Sequence, residues 1–127
     1  MTETRKHPAT GSGRMLQLIA FGHTAVGTVL YRDELLSIAR DRFVGAVPYH
    51  GPKATAFWFL MPAPFLWTVG HLVGAAERAH DKEALRTAGR VGLASAAIGV
   101  VCMPISGWWL QLLVSLRGLR KTRELRP

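Results

Sequence analysis

The stretch Val91 to Leu116, VGLASAAIGVVCMPISGWWLQLLVSL, decides the fold. Its twenty-six residues contain no Asp, Glu, Lys or Arg, and Met103-Pro104-Ile105-Ser106-Gly107 interrupts it near the centre. A helix running through Pro104 would give the chain three apolar spans, whereas a reversal there would give four. Proline lacks a backbone N–H and its ring clashes with the preceding helical turn, so Pro104 followed by Ser106 and Gly107 reads as a turn between two helices.

Two further stretches, Met15 to Tyr31 and Ala54 to Ala76, are also free of charge, so that all 24 charged residues (16 basic, 8 acidic) fall in the remaining 61 of the 127. A mean hydropathy of only +0.16 conceals this segregation. A soluble helix needs a polar face, with a charge every three or four residues, and these stretches offer none. Each is long enough to cross a hydrocarbon core about 30 Å thick at about 1.5 Å per residue. The expected fold is all-α, a four-transmembrane-helix bundle occupying residues 14–121, with spans at about 14–31, 54–76, 84–103 and 106–119.

Residues 1–13 are polar, with Pro8, Gly11, Ser12 and Gly13 opposing helix, and read as a disordered cytoplasmic tail. Residues 122–127 read as a basic cytoplasmic tail. Arg14 before an apolar run resembles a signal peptide, and Ala25-Val26-Gly27 a cleavage site. The run is 17 residues long and further spans follow, which favours an uncleaved first helix. In Arg32 to Val44, Leu35, Leu36, Ile38, Ala39 and Phe43 share one stripe, the pattern of a short interfacial amphipathic helix between helices one and two. Pro48, Gly51 and Pro52 make Gly45 to Lys53 a loop. Pro62 and Pro64 bend the second span and free the carbonyls of Trp58 and Leu60. Glu77 to Arg90 is a charged connection whose later part, from Ala84, begins helix three.

Charge placement orients the spans. Basic residues number three in the N-terminal tail (Arg5, Lys6, Arg14), four in the first loop (Arg32, Arg40, Arg42, Lys53), four in the second (Arg78, Lys82, Arg86, Arg90) and five after Leu116 (Arg117, Arg120, Lys121, Arg123, Arg126). Four crossings with both termini cytoplasmic put twelve of these inside and four outside, as the positive-inside bias requires, while three crossings do not separate them. The same arrangement places Tyr31, Trp58, Trp108 and Trp109 at the outer rim, where Trp and Tyr concentrate. The fourth helix is short and spans only if Arg117 snorkels to the headgroups.

The net charge of +8 raises the question of nucleic acid. Lys and Arg instead cluster at the ends of apolar stretches without interleaved aromatics, so the implied partner is the lipid bilayer and not nucleic acid. The single cysteine, Cys102, excludes an intramolecular disulfide and reads as a packing thiol.

His23 and His71 are the ionisable groups inside the spans with acid-base or ligand use near neutral pH, in the similar settings Gly22-His23-Thr24-Ala25-Val26-Gly27 and Gly70-His71-Leu72-Val73-Gly74. Intramembrane ionisable residues mark functional sites by default. Counted along their helices, His23 lies roughly 12 Å from the inner edge and His71 roughly 8 Å, so antiparallel spans could bring them face to face. With Thr24 and Trp67 they form a candidate pocket for a small lipophilic molecule. Paired imidazoles also suit axial haem ligation or a proton relay, and each His could simply hydrogen-bond a backbone carbonyl and hold two helices together. No further His supports haem or a metal, as His7, His50 and His80 lie in tails or loops. No cofactor, metal ligand or catalytic residue is assigned: no Asp or Glu lies within a span to exchange a proton for a cation, and Ser95, Ser106 and Cys102 have no base at motif spacing. The small residues Ala88, Gly92 and Ala96, with Ser95 and Gly99, suit close helix packing within the bundle or between protomers.

Gly22-His23-Thr24, Phe57-Trp58-Phe59 and Pro104-Ile105-Ser106-Gly107-Trp108-Trp109-Leu110 together resemble the small, uncharacterised four-helix bacterial inner-membrane proteins grouped as a domain of unknown function. The likeness covers most of the chain beyond the tail. It implies a plasma-membrane location and supplies no activity or catalytic residue. The expectation is a multi-pass, non-enzymatic membrane protein that packs with itself or a membrane-protein partner, with the His23 and His71 pocket as the alternative.

Overall fold

The structure is a computed structural model that describes residues 11–124. The parts of the two tails that lie in 1–10 and 125–127 fall outside the described residues. Among the described residues there are six helices and no strand: α1 (Ser12–Leu30), α2 (Arg32–Arg40), α3 (Pro52–Leu60), α4 (Pro62–Ala79), α5 (Lys82–Cys102) and α6 (Trp108–Glu124). Two are long and apolar enough to cross a membrane, Pro52–Ala79 taken through Met61, and Lys82–Cys102.

The stretch around Pro104 is a turn. α5 ends at Cys102, where the Met103 N–H still reaches the Gly99 carbonyl at 2.8 Å, and α6 begins at Trp108. Between them the Ser106 hydroxyl donates to the Met103 carbonyl at 2.6 Å, and the Trp109 indole N–H donates to the Pro104 carbonyl at 2.9 Å. Side chains of the turn and of the first residues of α6 thus satisfy the Met103 and Pro104 carbonyls, which have no helical donor.

The chain divides into two compact units. Among the described residues one contains 11–16 together with 69–124; the other is Gln17–Thr68. In the first unit α5 and α6 pack as an antiparallel hairpin. A methyl group on Gly89 would lie 2.7 Å from Leu119, one on Gly92 2.6 Å from the Ser115 hydroxyl, and one on Gly99 inside the Trp108 indole. Gly89, Ala96 and Gly99 are buried on α5, and Val114, Ser115 and Thr122 are buried on α6, with Ser115 facing Gly92. The facing stripe is therefore Gly89, Gly92, Ala96 and Gly99. Of the expected small residues, Ala88 is half-buried and Ser95 is exposed. Small side chains let the two backbones approach, so dispersion acts between main chains as well as side chains.

In the second unit Ala20, Ala54, Ala56, Ala63 and Ile38 are buried, and α2 packs against α3. Lys53 donates to the Asp41 carboxylate across the loop that joins them. α2 ends at Arg40, before the Val44 expected for an interfacial helix, because the chain turns left-handed at Arg42 (φ 62°) and Phe43 (φ 65°). The Arg42 N–H reaches the Ala39 carbonyl and the Phe43 N–H the Ile38 carbonyl, a Schellman closure. The expected loop to Lys53 is shorter too: α3 starts at Pro52, whose fixed φ and missing N–H suit a first helical position.

Three other boundaries differ from the sequence reading. α1 starts at Ser12, inside the expected tail, and α6 continues to Glu124, beyond the expected end at 119–121. The expected charged connection from Glu77 shrinks to His80 and Asp81. There the Asp81 N–H closes on the Ala76 carbonyl at 3.0 Å, with His80 left-handed (φ 55°), and the Asp81 carboxylate accepts from the Ala84 N–H at 3.0 Å. One residue thereby closes α4 with its backbone and caps α5 with its side chain.

Candidate functional site

His23 stands half-buried on α1, opposite the stretch of the neighbouring helix that the proline pair interrupts. Pro62 and Pro64 carry no N–H, so the carbonyls four residues earlier, at Trp58 and Leu60, have no intrahelical donor. The carbonyl between them, Phe59, lies 2.6 Å from His23 Nε2. A carbonyl only accepts, so Nε2 carries the proton and donates. The imidazole also stacks on the Phe59 ring, with centroids 4.3 Å apart and planes 14° from parallel. The Tyr31 ring lies against the same phenyl, tilted by 55° with centroids 5.2 Å apart. Gly27, one turn from His23, leaves the room: a methyl group there would sit 2.5 Å from Leu60 and 2.9 Å from Phe59.

The other expected pocket residues are engaged differently. The Thr24 hydroxyl donates to the Ala20 carbonyl of its own helix at 2.9 Å, and Thr24 is exposed. Trp67, 50 % exposed, belongs with His23 and Thr24 to the second unit. His71 belongs to the first unit and is exposed on α4. Within the second unit, then, the structure brings His23 together with Phe59, Tyr31 and Gly27 rather than with Thr24 or Trp67. Among the described residues no three His, Cys, Asp or Glu side chains converge to hold a metal ion.

Two features had no clear signal in the sequence. Glu77 caps α1 from a distance of 65 positions: Ser12 N–H donates to its Oε1 at 2.7 Å and Gly13 N–H to its Oε2 at 3.3 Å. The first N–H groups of any helix lack intrahelical acceptors and carry positive partial charge, so a carboxylate completes the end both as acceptor and as charge. Gly13 meanwhile packs on the α4 backbone at Gly70 and Gly74, where a side chain would have no space. The second feature is a shallow depression of about 490 Å³ lined by Asp33, Glu34, Ser37, Pro48, Pro52 and Lys53. It lies beside the Lys53 to Asp41 ion pair and away from His23.

Fold and site define a class: an all-helical protein in which two helices are long and apolar enough to cross a membrane, with a histidine bridging two helices through a backbone carbonyl. The chain belongs to the family of unknown function DUF6463, which matches residues 7–124. No curated protein matches the chain, and no solved structure does.

Proposed function

We propose that this chain is a multi-pass integral protein of a bacterial plasma membrane, crossing it four times with both termini cytoplasmic, and that it acts without catalysis, by packing against itself or a membrane-protein partner. The observation that carries the reading is an inversion of the usual burial. Only 22 % and 17 % of the most apolar windows of Pro52–Ala79 and Lys82–Cys102 are buried, where the core helix of a soluble protein would be mostly covered. Phe21, Val29, Phe65, Leu72, Ile98 and Val101 are exposed, while Ala56 and Ala96 have no exposed surface. Large apolar groups outside and small ones inside suit a lipid solvent, in which close packing rather than the hydrophobic effect joins helices.

The hairpin supports the topology. Its turn carries Trp108 and Trp109, and its open end carries Lys82, Arg86 and Arg90 on α5 with Arg117, Arg120, Lys121 and Arg123 on α6. Aromatics at one end and cations at the other match the outer and inner faces of a bilayer. His23 fits the packing role: its bond to the Phe59 carbonyl joins α1 to α3 where the proline pair thins the helix's own ladder.

Two measurements test this reading. The protein should resist alkaline carbonate extraction, dissolve only in detergent, and run above its 13.9 kDa monomer mass in mild detergent after correction for bound micelle. In a Cys102→Ser background, Ser106→Cys should react with an impermeant maleimide in intact cells, and Lys121→Cys only after permeabilisation. Labelling of Lys121→Cys from outside would sink the four-crossing topology, and a strictly monomeric, partner-free particle would sink the packing role.

A further inference from the structure

The contacts of the α5–α6 hairpin fix the rotational phase of both helices. Gly89 against Leu119, Gly92 against Ser115 and Gly99 against Trp108 mark the facing stripes, and about 100° per residue places the rest. On α5 this turns Arg86 and Arg90 to one flank, roughly 100° and 140° from the stripe. On α6 Arg120 and Arg123 stand roughly 140° and 80° from theirs, and because the helices are antiparallel both fall on that same flank. The register that sets Gly89 against Leu119 places all four within roughly 8 Å of one another along the hairpin axis. All four are exposed, and among the described residues none is in an ion pair. Glu83, a turn before Arg86 on α5, and Glu124, a turn after Arg120 on α6, are the carboxylates of this end, and with four arginines the flank stays net positive. The α1 residue Ser12 approaches Gly118, on the opposite flank of α6. One turn further along the hairpin the flank becomes apolar, with Leu93 and Leu116 both half-buried.

We propose that this flank binds an anionic phospholipid, with the guanidinium groups of Arg86, Arg90, Arg120 and Arg123 around its headgroup phosphate and its acyl chains along Leu93 and Leu116. The inference rests on the membrane reading above. Guanidinium forks match phosphate oxygens in pairs, which separates such a site from the diffuse attraction of any basic end for an anionic surface. Apolar surface begins one turn from the cations, which fits the amphipathic outline of a phospholipid. A nucleic acid backbone would instead need the charge to continue over a polar surface.

The test is native mass spectrometry of the full chain in detergent, titrated with phosphatidylglycerol or phosphatidylcholine. The unaltered chain should retain phosphatidylglycerol in preference to phosphatidylcholine. R90Q/R120Q should lose that affinity by on the order of tenfold or more, taking each cation near an anionic lipid as worth about fivefold. R117Q/K121Q, which removes the same charge from the back and far side of α6, should change it by less than about twofold. R90K/R120K keeps the charge and loses the forks, so an intermediate loss is expected, with unchanged circular dichroism in every variant. Equal loss in the two Gln double variants, or no preference between the lipids, overturns the site while leaving the membrane reading intact. Release of the protein by carbonate without detergent overturns both.

Discussion

Gly99 and Gly22 are chemically identical and physically opposite. A methyl group on Gly99 would fall within the Trp108 indole, whereas one on Gly22 would meet nothing within 4 Å. Gly99→Ala should therefore cost about 1 to 3 kcal/mol, the usual price of overpacking. Gly22→Ala should be neutral or stabilising by up to about 1 kcal/mol, since alanine is the better helix former. Thermal denaturation in detergent compares the two directly. His23 allows a similar contrast: His23→Phe keeps the aromatic stack on Phe59 and removes the hydrogen bond to its carbonyl. The expected loss is about 0.6 to 2 kcal/mol, the range of interhelical hydrogen bonds in membranes. A variant as stable as the parent would show that the bond holds nothing together.

At the scale of elements, the two-residue turn between α4 and α5 is the sharpest case. His80 occupies a left-handed conformation that costs a side-chain-bearing residue about 1 to 2 kcal/mol, and glycine returns part of that through its greater freedom when unfolded. His80→Gly should thus stabilise by about 0.5 to 1 kcal/mol. Asp81→Ala should cost about 1 kcal/mol through loss of the cap on Ala84. Midpoints of thermal unfolding moving in opposite directions would confirm the pair. This turn also shows where sequence reading stops. The reversal at Pro104 to Gly107 was legible because proline and glycine announce it. His80 announces nothing, and the charged run around it reads as a long connection. The hairpin stripe was legible in kind but not in phase, since small residues stand at Ala88, Gly89, Gly92, Ala94, Ser95, Ala96, Ala97 and Gly99, too many to single out one face. His23 was legible as a residue out of place. Its partner was not, because a backbone carbonyl has no letter in the sequence, and Pro62 and Pro64 free the carbonyls on either side of Phe59 rather than that of Phe59 itself.

Over the whole molecule, the longest-range tie described is Glu77, which holds the start of α1 from the far end of α4. Glu77→Ala should cost about 2 kcal/mol, as expected for a charged group accepting two backbone N–H bonds, and Glu77→Gln about half as much because one acceptor remains. Hydrogen exchange at Ser12 and Gly13 would accelerate in step with the loss; unchanged protection there would refute the tie. The buried positions have a further consequence. Among the described residues, Ala20, Ala54, Ala56, Ala63 and Ala96 are buried beside Leu16, Ile38, Val73 and Val114, and no large side chain is fully enclosed. The alanine positions offer little volume to remove but are easily overfilled. The sequence is therefore constrained by an upper limit on size at its buried alanines and by little more than apolarity at its exposed apolar positions, so that drift should enlarge and shrink the latter freely while holding the former to the smallest residues.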